Sequence, residues 1–149
     1  MRHSISIKET PLDEAVLARQ TSQEFGETYK KEDFEKRYKG KDPLIIAAYM
    51  DEGSKPVGYL IGFDRFKDGS FYCWLSGVWG EHRKRRIFHA LMMHAQHWAR
   101  KKGYKSVKIK TRNKRTNILQ YLIKSEYHFL EVTPDPNPAE SRILLEKKI

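Results

Sequence analysis

A strand, a cationic turn and a long helix follow one another between Phe71 and Lys102, and this succession constrains the fold more than any other stretch of the chain. Phe71 to Val78 is apolar and β-prone, whereas Arg83, Lys84, Arg85 and Arg86 are four consecutive cations. Ile87, Ala90, Leu91, Ala95 and Trp98 then recur at core-facing helical spacing, which predicts a helix to Lys102, about 24 Å long at 1.5 Å per residue. Gly103 caps it. Ser106 to Arg112 alternates, with Val107, Ile109 and Thr111 facing one way and Lys108, Lys110 and Arg112 the other. Strand, helix and strand in this order imply that Phe71–Val78 and Ser106–Arg112 pair in parallel through a right-handed crossover. The turn also carries chemistry. A helix start presents unpaired backbone N–H groups and the positive end of a dipole, and four cations just before it strengthen the reading as an anion site over that of a merely solvated loop.

The flanking segments complete an α/β domain. Ser4 to Ile7 reads as a short strand, and Thr10-Pro11 opens a helix from Pro11 to about Phe25, with Leu12, Ala15, Val16, Leu17 and Ala18 as its stripe and Gly26 as its stop. A second helix spans Lys31 to Tyr38. Between them Glu24, Glu27, Thr28 and Tyr29 form a polar loop, read either as facing a substrate or as a solvated connection. Pro43–Met50, Val57–Phe63 and Ser70–Val78 are three antiparallel strands joined by turns at DEGSKP and Asp68-Gly69. Gly77, late in the third, is expected to host a bulge that bends the strand and opens a gap beside it. A last helix runs from about Arg115 to Ser125, followed by strands Tyr127–Thr133 and Ser141–Lys147. The order is β-α-α-β-β-β-α-β-α-β-β, a mixed and mostly antiparallel sheet of about seven strands flanked by about four helices.

At 149 residues this is one expected domain, 1–149. Its 39% apolar and 12% aromatic content is globular, no apolar run approaches the roughly 18 residues of a membrane span, and the start lacks a secretory h-region. With a single cysteine, Cys73, placed in a strand as buried filler, a cytoplasmic protein is expected. The net charge of +10 is uneven: 14 Lys/Arg and no acid lie between His82 and Ser125. Such a field suits a phosphorylated cofactor or nucleic acid, and charge alone does not choose between them. No zinc-finger, RNP or KH signature is present. His89, His94 and His97 lack a carboxylate at ligand spacing, so no metal is expected.

The segment VWGEHRKRRIFHAL, residues 78–91, resembles the acetyl-coenzyme A binding segment of the GNAT superfamily of N-acetyltransferases, a strand ending in Val followed by [QR]-x-x-G-x-[GA] and a helix. Val78 matches the strand end, Arg83 the [QR], and Arg86 and Phe88 stand at the two small positions. Residues 110–129 are similar to the second signature through Asn113, Ile118, Leu119, Ile123 and Lys124, with Glu126-Tyr127 in place of Gly-Phe. The resemblance implies that acetyl-CoA is held by Val78, Trp79, Arg83, Lys84, Arg85, Arg86, Ile87, Phe88 and His89, with Asn113 bonding a pantetheine amide. Because Arg86 and Phe88 replace glycine-type residues, coenzyme A binding is expected to be weaker and more dependent on side-chain charge.

The activity implied is an acyltransferase, direct attack of a primary amine on the thioester of acetyl-CoA, with an oxyanion held by a backbone N–H near Val78. Tyr121 is the candidate acid, one residue before the helix position, here Leu122, that often carries a tyrosine in the family. Glu24, Glu27 and Glu81 are candidate bases. The acceptor is a small-molecule or peptide amine, no membrane partner is expected, and the protein is a monomer or homodimer. The alternative is a GNAT-fold binding protein whose basic face contacts nucleic acid or an acidic partner.

Overall fold

The computed structural model describes residues 4–15, 30–80 and 86–149. Its strands are β1 (Ile5–Glu9), β2 (Leu44–Met50), β3 (Gly58–Phe63), β4 (Ser70–Val78), β5 (Ser106–Arg112), β6 (His128–Thr133) and β7 (Arg142–Lys148). The helices are α1 (Lys31–Tyr38), α2 (Ile87–Lys102) and α3 (Thr116–Lys124), with a 3₁₀ turn at Pro138–Glu140. One sheet of seven strands runs in the order β1-β2-β3-β4-β5-β7-β6. Every neighbouring pair is antiparallel except β4 and β5, which are parallel across α2.

Two apolar layers cover the sheet. Residues of β2 and β3 are almost all buried, so these strands read as continuous apolar runs rather than as alternating ones. Leu44, Ile46, Leu60, Phe71 and Cys73 pack with α2 and with Leu119 and Leu122 of α3. Tyr59, Ile61, Phe63 and Tyr72 form the other layer with Leu12, Ala15 and Tyr38. The α2 stripe is fully enclosed at Ile87, Leu91, Met92, Ala95 and Ala99, and each of its larger side chains contributes roughly 1.5 to 3 kcal/mol by leaving water. The helix ends at Gly103, whose φ of 97° suits a residue without Cβ. No helix among the described residues is long and apolar enough to cross a membrane.

The β4–β5 pairing is short. It joins Ser70–Cys73 to Ser106–Ile109 and then stops, although β4 continues against β3 to Val78 and β5 continues against β7 to Arg112. The two parallel strands therefore diverge toward their C-terminal ends. Gly77 does not host the bulge that its position suggests. The register shift falls where Ile61 and Gly62 of β3 meet Leu75 and Cys73, leaving Trp74 as the extra residue. Gly77 instead makes room for a ring, because a Cβ there would lie 2.9 Å from Tyr59 Cε1.

The expected Pro11–Phe25 helix is described only at residues 12–15, which are helical. Val16, Leu17, Ala18, Glu24, Gly26, Glu27, Thr28 and Tyr29 lie outside the described residues, as do Glu81, Arg83, Lys84 and Arg85.

Candidate active site

Where β4 and β5 separate, a groove of about 1030 Å³ opens along Ser76, Gly77 and Val78 and reaches Arg86, Phe88 and His89 at the start of α2. Its far wall is the first part of α3 and the residues before it, Lys114, Arg115 and Asn117, continued by Ile118 and Tyr121. A second cavity of about 440 Å³ opens on the α1 side of the same split. Ser76, Arg115 and Ile118 line both, so the two spaces meet at the point where the strands part.

Arg86 takes a left-handed conformation, one that glycine adopts without cost. Its φ of 63° and ψ of 20° are left-handed, it precedes the first residue of α2, and its side chain makes no capping hydrogen bond. Such backbone geometry costs a residue with a Cβ about 1 to 2 kcal/mol. Arg86 thus places a guanidinium at the lip of the groove, beside the start of α2. Phe88, at the second small position, turns into the groove and packs edge-on against Tyr121 with ring centres 5.1 Å apart.

Tyr121 faces this groove because of the phase of α3. Leu119 and Leu122 form the helix seam in the core, Leu122 with no exposure, and this rotation brings Ile118 and Tyr121 to the groove side. The Tyr121 hydroxyl lies 2.8 Å from Nδ1 of His89. Burial raises its pKa above the ordinary tyrosine value, against smaller opposing effects of a Ser125 hydrogen bond and the Arg86 charge. The hydroxyl therefore stays protonated through neutral pH. With the His89 tautomer protonated at Nδ1, the ring N–H donates to the Tyr121 oxygen and orients the phenol.

Other expected residues sit elsewhere. Asn113 is exposed and belongs to the turn after β5, its N–H bonded to the Ser141 carbonyl and its Nδ2 donating to the Pro138 carbonyl at 3.3 Å. It is not among the residues lining the groove, where the asparagine is Asn117. Ile87 is a core residue with no exposure, and half-buried Trp79 packs on the same core while its N–H bonds the Val57 carbonyl. Val78, Arg86, Phe88, His89 and Tyr121 are brought together. Cys73 is buried and its thiol is pushed up to about 12 by desolvation, which keeps it unreactive. No group of three or more potential metal ligands is present among the described residues.

The residues that sequence reasoning did not place in the site are Lys114, Arg115 and Asn117 beside the groove and the cations of the second cavity, Arg37, Arg65, Lys110, Arg112 and Arg142. The alternation of β5 showed that Lys110 and Arg112 share a face. Nothing local connected them with residues of α1, of the loop after β3 and of β7. Glu140 binds two of the cations, Arg112 at 2.5 Å and Lys114 at 2.6 Å, and this pairing lowers its carboxyl pKa, Lys114 being the larger cause.

The sequence model of the family described as "Acetyltransferase (GNAT) family" matches residues 14–124. Comparison with curated protein sequences gives no significant match. Among solved structures, the ribosomal-protein-S18-alanine N-acetyltransferase of Escherichia coli is similar with a TM-score of 0.79 at 12% identity, over 98% of this chain and 94% of that one. A Bacillus subtilis acetyltransferase in complex with CoA gives 0.73 at 15% identity, over 99% of both chains. A GNAT-family acetyltransferase of Staphylococcus aureus gives 0.75 at 12% identity, over 97% of this chain and 99% of that one. At such identities the likeness establishes the fold.

Proposed function

The chain belongs to the GNAT acetyltransferase family, and from that premise we propose that it moves an acetyl group from acetyl-CoA to a primary amine by direct attack. The observation that carries this reading is the groove itself: a parallel pair that splits after Cys73, a left-handed turn at the start of α2, and a protonated tyrosine on the opposite wall. Beyond Cys73 the edge of β4 no longer pairs with β5, so a chain of amides such as pantetheine fits between the strands in the manner of a short strand. Arg86 at the lip and Arg115 on the far wall supply charge suited to a diphosphate, whereas Lys114 is paired with Glu140. A bound CoA in the Bacillus subtilis acetyltransferase supports the same choice of cosubstrate.

In this reaction the amine lone pair forms a bond to the thioester carbonyl carbon, and the oxygen takes the negative charge beside N–H groups on the open edge of β4. Collapse of that intermediate breaks the C–S bond. The departing thiolate takes the Tyr121 proton, His89 holds the resulting phenolate, and the nitrogen loses its extra proton to a base. Titration calorimetry with acetyl-CoA, together with a thiol-release assay across a panel of amines, tests the proposal. A single binding site and amine-dependent thiol release are expected. Absence of acetyl-CoA binding, or binding without thiol release from any amine class, would count against it.

A further inference from the structure

The second cavity points to the chemistry of the acceptor, an inference that rests on the acetyl-transfer reading above. It is lined by Arg37, Arg65, Lys110, Arg112, Arg115 and Arg142, and no carboxylate is among the described residues of its lining. Arg112 is neutralised by Glu140. Arg37, Arg65, Lys110 and Arg142 form no ion pair among the described residues. Two of these cations are laid on aromatic rings: the Arg65 guanidinium is 4.9 Å from the Tyr72 ring centre and that of Arg37 is 5.7 Å from Trp74. Rings hold guanidinium groups flat and leave their N–H edges directed outward.

One further feature shows that the charge is concentrated rather than dispersed. The Lys110 amine is lowered in pKa by burial first and then by Arg65 and Arg142, with Glu131 acting the other way.

We propose that the acceptor is a small primary amine that also carries a carboxylate or phosphate, the anionic group being held by Lys110, Arg142 and Arg65. The cavity, about 440 Å³, is of the size that takes a small molecule. It meets the larger groove at Ser76, Arg115 and Ile118, so an anion seated among the cations leaves the amine directed toward the split between β4 and β5. Polycationic amines are repelled by the same field.

Calorimetry on the full chain with O-phosphoethanolamine, glutamate, spermidine and a mixed-sequence single-stranded oligonucleotide tests this, alongside Lys110→Met and Arg142→Ala variants shown by circular dichroism to be folded. One anionic amine is expected to bind at a single site and spermidine is not. Each variant should weaken that binding by roughly tenfold or more, as loss of a charge-assisted hydrogen bond does, with acetyl-CoA affinity unchanged. Equal binding of spermidine, no binding of either anionic amine, or unchanged affinity in both variants overturns the proposal. So does binding of the oligonucleotide alone, which would make the cavity part of a nucleic-acid surface. If the anionic amines bind as expected and acetyl-CoA does not, the acetyl-transfer reading fails and the anion site stands.

Discussion

The two spaces at the strand split differ in how they obtain polarity. The groove on the α2 side keeps its cations, Arg86, Lys114 and Arg115, to the lip and the far wall and holds a hydrogen-bonded pair, His89 with Tyr121, set against Phe88 and the edge of β4. The cavity on the α1 side is built from cations on rings, drawn from α1, the loop after β3, β5 and β7. Proton transfer needs one group with a fixed pKa and a fixed direction, whereas holding an anion needs summed positive charge. A single substitution should therefore be ruinous on the first side and graded on the second.

The sharpest contrast is expected from Tyr121→Phe, which removes the proton and keeps the ring. Turnover should fall about 100-fold, the lower end of what general acid catalysis supplies, with little change in the Michaelis constant for acetyl-CoA. Steady-state kinetics with the acceptor saturating measures it, and unchanged turnover would remove Tyr121 from the chemistry. Next in size, Arg86→Ala should weaken coenzyme A binding by roughly 10-fold, and the wild-type affinity should itself fall as ionic strength rises, because an exposed charge contact is screened. Calorimetry in a salt series decides this. An affinity indifferent to both salt and Arg86 would mean that the backbone of the turn binds alone.

The groove wall and the fork give smaller effects, on stability. Gly77→Val places a Cβ 2.9 Å from the Tyr59 ring, and overpacking of this kind costs about 1 to 3 kcal/mol, to be read from urea midpoints. Cys73, the last β4 residue paired to β5, reports on the fork through pH. Its folded pKa of about 12 lies above the ordinary 9.0, so the stabilisation is complete below pH 9 and is lost as pH rises toward 12. Stability should drop by about 1 kcal/mol between pH 9 and 10, and Cys73→Ala should flatten that slope. Smallest is Arg86→Gly, expected to add roughly 0.5 to 1 kcal/mol by relieving a left-handed backbone, after the entropy cost of glycine is subtracted. A loss of stability there would show that the arginine side chain braces the turn.

The central β-α-β unit was legible because several signals agree. The apolar run of Ser70–Val78, the core stripe of α2 with its glycine stop, and the alternation of Ser106–Arg112 fix those elements at the bounds observed. Tyr121 was legible as a candidate but not in its direction, since that depends on Leu119 and Leu122 taking the core seam. Asn113 is an asparagine in a turn, and its sequence neighbourhood does not reveal that its amide is taken by Pro138. The cationic cavity was not legible at all. Its members are scattered from residue 37 to residue 142, and only the sheet order places β7 beside β5 and brings Arg142 opposite Arg112.

The extra residue at Trp74 acts as a phase slip within one strand. Side chains alternate with period two, so without it Phe71, Cys73 and Gly77 would share a face and Val78 would lie on the other. With it, Val78 joins Phe71 and Cys73 in the α2-side core, while Trp74 and Leu75 both pack on the α1 side beside Tyr72. β4 thus has odd parity before the slip and even parity after it. Deleting Trp74 or Leu75 would remove the slip and leave Gly77 and Val78 on the faces they now occupy, whereas straightening the strand at its present length would exchange those faces and with them the walls of both sites. The slip, which lets two consecutive side chains share one face, is what keeps the two sites on their proper sides of the sheet in a segment of this length.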